Sequence, residues 1–282
     1  MRNIRPSQDQ LINRLLQVLC VVGLLILAGI LWARPVNLMN SDLGRHLQNG
    51  NVILSEWHVP EVNYYSYTHP EYPVVNHHWG TGVVFQLLQR MGGIGAVLVV
   101  MFALELLTLL LVLGLAWRRS GFLFALPAAV LALPLIVSRA EMRPEIFSAF
   151  FVALFLCILY LCANERYRQW LFALPALMLL WVNLHVYFFL GIAITGCFFL
   201  DEALAIWHGR SRRLVGQERL GTDSRGSKAV MKALGNAMLL MLFATLVNPV
   251  AVQGALVPFT LFKNFGYMLA ENQSVWFLAE RN

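Results

Sequence analysis

The stretch SDLGRHLQNG, Ser41 to Gly50, holds the residues whose types and spacing come closest to a catalytic arrangement. If it opens a short helix, Ser41 or Asp42 caps it, and Asp42, His46 and Asn49 share one face through i, i+4 and i, i+3 spacing. A carboxylate held beside an imidazole is a usable general base. The competing reading is a capped helix at the membrane interface, in which Asp42 only pairs with Arg45 or His46. Further along, VPEVNYYSYTHPEYPVVNHHWGTG joins Tyr64, Tyr65, Tyr67 and Tyr72 to the consecutive histidines His77 and His78. The tyrosines fit an interfacial aromatic belt. Asp42, His46, His77 and His78 carry donor atoms for a divalent metal, although no HxxxH or HExxH spacing is present.

Two later stretches add polar groups. SRAEMRPEIF places Arg139, Glu141, Arg143 and Glu145 between two apolar runs. A charge at the centre of a bilayer costs about 2.5–3.5 kcal/mol even on a lenient scale, so this cluster belongs at the boundary or in a polar cavity. If the preceding helix extends to Arg143, before Pro144 disrupts it, the two arginines share a face that suits a phosphate or diphosphate. Otherwise the four charges pair among themselves as a turn. LWVNLHVYFF embeds Asn183 and His185 in apolar sequence, where such residues serve either interhelical hydrogen bonding or a pathway. Asn248, preceding Pro249, marks a turn.

The elements that must position these residues are set by composition. A 282-residue chain that is 59% hydrophobic and 13% charged is not a soluble domain but an integral membrane protein. Its first apolar run, Leu15 to Ala33, follows Arg2, Arg5 and Arg14 and reads as a retained span rather than a cleaved signal. At about 1.5 Å per residue the runs 80–117 and 169–200 are too long for single crossings, so breaks are expected at Gly92–Gly93 and at Asn183–His185. The resulting fold class is all-α: a polytopic transmembrane helical bundle of about eight spans, one transmembrane domain over residues 1–282. Residues 34–79 form a long outer first loop containing short interfacial helices, and 208–236 a cytoplasmic loop.

The charge distribution orients this bundle. From His208 to Lys232 the chain has seven basic and two acidic residues, which places that segment, the N-terminus and Arg118–Arg119 on the cytoplasmic side. The opposite side then collects a first loop with four acids, two arginines and five histidines, together with the Arg139, Asn183 and Asn248 turns. The net charge of +6 serves topology, and nucleic acid is not an expected partner. All four cysteines, Cys20, Cys157, Cys162 and Cys197, lie in apolar runs, which suggests neither a disulfide framework nor a thiolate metal site.

An acid just after the first span, followed by a long outer loop with an aromatic, Pro- and His-rich end, resembles the GT-C superfamily of polytopic glycosyltransferases, which includes protein mannosyltransferases and lipid A aminoarabinose transferases. DLGRHLQNGNVI, YYSYTHPEYPVVNHHWGTGVVFQLL, RPEIFSAF, WVNLHVYFFLG and NPVAVQG resemble an uncharacterised bacterial group of this type. The resemblance implies transfer of a sugar from a polyprenyl-phosphate donor to an acceptor outside the cytoplasm, in the bacterial inner membrane; no cofactor is assigned, and a divalent metal is only a candidate from the donor residues above. It implies Asp42 as the acid, with His46 beside it, and Arg139 or Arg143 against the lipid phosphate. The substrate-binding set is Arg45, Asn76, His77, His78, Trp79, Arg139, Arg143, Asn183 and His185. Departures from the family pattern are Leu43 in place of a second acid, Asn76–Trp79 in place of a Pro-Pro motif, and an end at SVWFLAERN after about eight spans, as in a truncated member. Two other classes fit the same residues: a transporter or flippase for a lipid-linked or anionic substrate, and a noncatalytic membrane subunit. The absence of repeated halves and the gathering of polar groups at one boundary favour the enzyme.

Overall fold

The computed structural model describes residues 7–33, 42–137, 142–162, 165–208 and 224–260. Among these residues the fold is helical, without strands, and one isolated bridge joins Val62 to Pro73 in the outer loop. Helix α1 (Gln8–Trp32) starts at a capping box, with Gln10 N–H donating to Ser7 Oγ and Ser7 N–H to Gln10 Oε1. The other helices are α2 (Leu43–Glu56), α3 (Trp79–Ser120), α4 (Phe122–Val137), α5 (Glu145–Cys162), α6 (Ala173–Leu184), α7 (Phe189–Trp207), α8 (Ser224–Thr245) and α9 (Val252–Thr260).

Five helices among the described residues are long and apolar enough to cross a membrane: α1, α3, α5, the Val186–Trp207 stretch that contains α7, and α8. Helix α4, which contains Pro127 and Pro134, and α6 are apolar but shorter. Both expected breaks are present. Within α3, Gly92 (φ −154°) and Gly93 (φ 68°, ψ −165°) leave helical geometry, the second in a region that only glycine enters readily. The other break comes at His185, which is extended (φ −155°, ψ 145°) between α6 and a single 3₁₀ turn, Val186–Phe188. A third interruption, 246–251, follows from Asn248: its Oδ1 accepts from Val250 N–H, an Asx turn ahead of α9.

Two expectations are corrected. Helix α8 begins at Ser224, so the later part of the 208–236 segment is helix rather than loop. Helix α4 ends at Val137 and Arg143 lies in the turn before α5, so no helix carries Arg143 on a shared face with Arg139. Pro144 explains this, because a residue before proline avoids the α region. Arg139 itself lies outside the described residues.

The main core gathers Phe85, Phe151, Phe155, Met178 and Trp181, and a smaller one joins α1 to α3 and α4 through Leu24, Ala28, Leu109 and Leu133. Helix α2 lies tightly on the first half of α3. A side-chain carbon on Gly50 would run into the Gly82 carbonyl, and one on Gly82 would come within 2.8 Å of the His46 carbonyl. Those two glycines set the depth at which His46 enters the bundle.

Candidate functional site

Of the residues singled out in the sequence, His46, His77, His78, Trp79, Asn183 and His185 meet where α2, the start of α3, the α6–α7 break and the α8–α9 turn come together. Asn183 is the clasp. Its Oδ1 accepts from Trp79 Nε1–H at 2.8 Å, and its Nδ2 donates to the carbonyls of Leu179 (2.8 Å) and Val247 (2.9 Å). Thr81 Oγ1 donates to the Leu184 carbonyl at 2.6 Å. Gly80 permits this approach, since a side-chain carbon there would stand 2.6 Å from the Asn183 carbonyl oxygen. The Thr81 bond satisfies the Leu184 carbonyl, which the break at His185 frees from the helix ladder, while the Asn183 bonds tie α6 to the start of α3 and to the α8–α9 turn.

Held by that clasp, four imidazoles from three segments form one cluster. His78 stacks on His185 (centroids 5.1 Å apart, planes 14°), lies 3.9 Å from His77 and meets His46 edge-on at 5.7 Å. His46 and His185 are buried, at 3% and 4% exposure. Burial sets their titration. The His46 imidazole is held down at about 4 by burial and then by the Arg45 charge, with Asp42 opposing. His185, in the break between spans, is held down at about 3 by burial and then by its neighbouring imidazoles. His78 lies well below its ordinary 6.5 for the same two reasons, and burial also lowers His77. At neutral pH the cluster is uncharged, each ring offering one donor and one acceptor.

Behind the cluster lies a short relay that the sequence did not announce. Trp181 Nε1–H, fully buried, donates to Ser148 Oγ at 2.7 Å, and Ser148 Oγ lies 2.6 Å from His185 Nδ1. Indole is a donor only, so the arrangement that uses every group has the Ser148 hydroxyl donating to Nδ1 and leaves His185 with its proton on Nε2. Tyr187 packs edge-on to His185 at 4.6 Å. Ser148 stood inside RPEIFSAF, but a serine in an apolar helix has no pattern of its own to mark it.

The first loop resolves the question about Asp42. It occupies the N-cap position of α2, yet in the left-handed region (φ 53°) and without a capping hydrogen bond from its side chain. Its Oδ2 instead accepts from Arg45 Nη2 at 3.2 Å, in an exposed pair. Thus Asp42 and His46 share a backbone hydrogen bond, His46 N–H to the Asp42 carbonyl at 3.1 Å, but no side-chain one: the carboxylate turns outward and the imidazole inward. Tyr65 Oη donates to Asn49 Oδ1 at 2.6 Å, fastening the aromatic loop to α2. Asn76 Nδ2 and His78 Nδ1 are buried with no partner among the described residues. Arg143 is half-buried in the turn before α5.

Among the described residues no three His, Cys, Asp or Glu side chains converge as metal ligands. The stacked His78–His185 pair turns its ring faces together rather than its nitrogens toward a shared ion. Comparison with protein-family models, with curated proteins and with solved structures finds no match in any of the three.

Proposed function

We propose that this protein is a membrane glycosyltransferase that moves a sugar from a polyprenyl-phosphate donor to an acceptor on the outer side of a bacterial inner membrane. The observation that carries the reading is the convergence of four uncharged imidazoles, from three segments, next to an outward-facing Asp42–Arg45 pair. Neutral donor–acceptor rings suit sugar hydroxyls, an exposed carboxylate suits proton removal, and guanidinium groups suit the phosphate that leaves. In this reading α4, α6 and α9 complete about eight crossings, and the N-terminus is cytoplasmic.

The step balances simply. The acceptor hydroxyl oxygen bonds to the anomeric carbon while the bond from that carbon to the phosphate oxygen breaks. The hydroxyl proton goes to Asp42, and the polyprenyl phosphate leaves with its negative charge met by Arg45, Arg139 and Arg143. His46, His77, His78 and His185 orient the sugar, with Asn76, Trp79 and Asn183 shaping the site.

The test is transfer of labelled sugar from polyprenyl-phosphate donors in membranes holding the wild-type chain or Asp42→Asn at equal abundance. Loss of a general base lowers the rate by about 10²–10⁴-fold. Full activity of Asp42→Asn would remove Asp42 from the mechanism. Movement of intact donor across the bilayer, with no new glycosidic bond, would replace the enzyme by the transporter reading.

A further inference from the structure

Two of the four imidazoles are fixed at one nitrogen by groups whose hydrogen-bonding roles cannot be exchanged. His77 Nδ1 lies 3.2 Å from the Val75 carbonyl oxygen. A carbonyl only accepts, so Nδ1 carries the ring hydrogen and Nε2 of the uncharged ring keeps its lone pair. His185 is fixed the other way. Ser148 Oγ takes the Trp181 N–H and, among the described residues, has His185 Nδ1 as its one further partner, so the hydroxyl hydrogen goes to that nitrogen. The ring hydrogen of His185 is then on Nε2.

Both fixed rings touch His78, at 3.9 Å and 5.1 Å between centroids, so one cluster holds both polarities. Their outer nitrogens are open. Of the ring nitrogens in the cluster, His78 Nδ1 is the one sealed without a partner among the described residues. His77 Nε2 and His185 Nε2, which make no hydrogen bond there, therefore reach space that a ligand can enter. A bare nitrogen at His77 accepts from a hydroxyl, whereas the N–H at His185 donates to an oxygen.

We propose that His77 and His185 determine how the sugar is held through opposite fixed tautomers: His77 Nε2 accepts from a sugar hydroxyl, His185 Nε2–H donates to a sugar oxygen, and Ser148 is the positioning residue for His185. This rests on the reading that the cluster faces the sugar of the donor, and it adds which atom takes which role.

The ring nitrogens are read directly by ¹H–¹⁵N correlation of the full chain, labelled with ¹⁵N-histidine in detergent micelles, with His77→Gln and His185→Gln assigning the signals. His77 should show a protonated Nδ1 and a bare Nε2, and His185 the reverse. Ser148→Ala should abolish the single tautomer of His185 and leave that of His77 unchanged, which shows that the variant is folded; Ser148→Thr, which keeps the hydroxyl, should restore it. The same tautomer at both rings, or an unchanged His185 in Ser148→Ala, would overturn the proposal. Farnesyl phosphates carrying glucose, mannose or galactose are then added in turn, with farnesyl phosphate as the control. At least one sugar should shift both Nε2 signals where farnesyl phosphate does not, and Ser148→Ala should weaken that binding about fivefold, the equivalent of one ordinary hydrogen bond of about 1 kcal/mol. Equal shifts with farnesyl phosphate, or none with any of the sugars, would overturn it. Sugar-dependent shifts in a protein that transfers no sugar would keep this proposal and remove the enzyme reading.

Discussion

Replacing Gly50 by alanine drives a methyl carbon into the backbone of Gly82. The added atom would lie 2.5 Å from the Gly82 carbonyl carbon and 2.8 Å from Gln86 Cβ, whereas ordinary contact begins at 3.4 Å. The Gly82 carbonyl oxygen stands closer still, so the two helices must part by at least about 0.9 Å at their crossing, the difference between 3.4 and 2.5 Å. Backbone cannot rotate aside as a side chain can, so the cost falls in the overpacking range of about 1–3 kcal/mol. The same displacement draws His46 away from His78, and a misplacement of about 1 Å can cost about 100-fold in rate. Gly44, in the same helix, is the internal control: nothing stands within 4 Å of a carbon placed there. Gly44→Ala should be neutral or stabilise by about 0.5–1 kcal/mol through helix propensity. The measurement is the melting temperature of each variant in detergent, read by the fraction that stays monodisperse after heating, alongside sugar transfer. A Gly50→Ala protein that melts and turns over like wild type, or a Gly44→Ala protein that falls equally far, would refute the argument that this contact sets the depth of His46.

Two further outcomes are expected. Ser148→Ala leaves the buried Trp181 N–H without an acceptor and frees His185, costing about 1–3 kcal/mol, while Ser148→Thr, which keeps the hydroxyl, should retain more stability; equal melting of Ser148→Ala and wild type would dismiss the relay. The His46 imidazole is lowered on folding from 6.5 to about 4, so the unfolded chain binds the extra proton and the stability present above pH 6.5 is lost as pH falls toward 4. That single group accounts for about 1.4 kcal/mol per pH unit within this window. Melting temperature should fall from pH 6.5 to 4.5, and His46→Gln should flatten the slope; a melting temperature constant over that range would contradict a buried neutral imidazole.

The sequence by itself determined what the membrane environment dictates. A long apolar run must be helical, because backbone polar groups have no water to meet in hydrocarbon. A run too long for one crossing must break, and the breaks fell at Gly93 and His185, where glycine tolerates a left-handed residue and where polar side chains can satisfy the backbone groups that a break exposes. It also named His185, because a histidine in oily sequence stands out by its type, and His46, His77 and His78 through their spacing and pairing in the outer loop.

Only the tertiary structure decided which of these residues meet. Trp79 and Asn183 are 104 positions apart, and nothing local in either stretch encodes their hydrogen bond. The direction of Asp42 depended on a left-handed backbone at its own position, which turned the carboxylate toward Arg45 and away from the imidazole four residues on. Ser148 was invisible for the opposite reason: it is a single polar residue in an apolar helix, with a role that exists only through Trp181 and His185. Periodicity and hydropathy report which side of a helix avoids water, whereas a site is made by segments that the chain brings together from far apart.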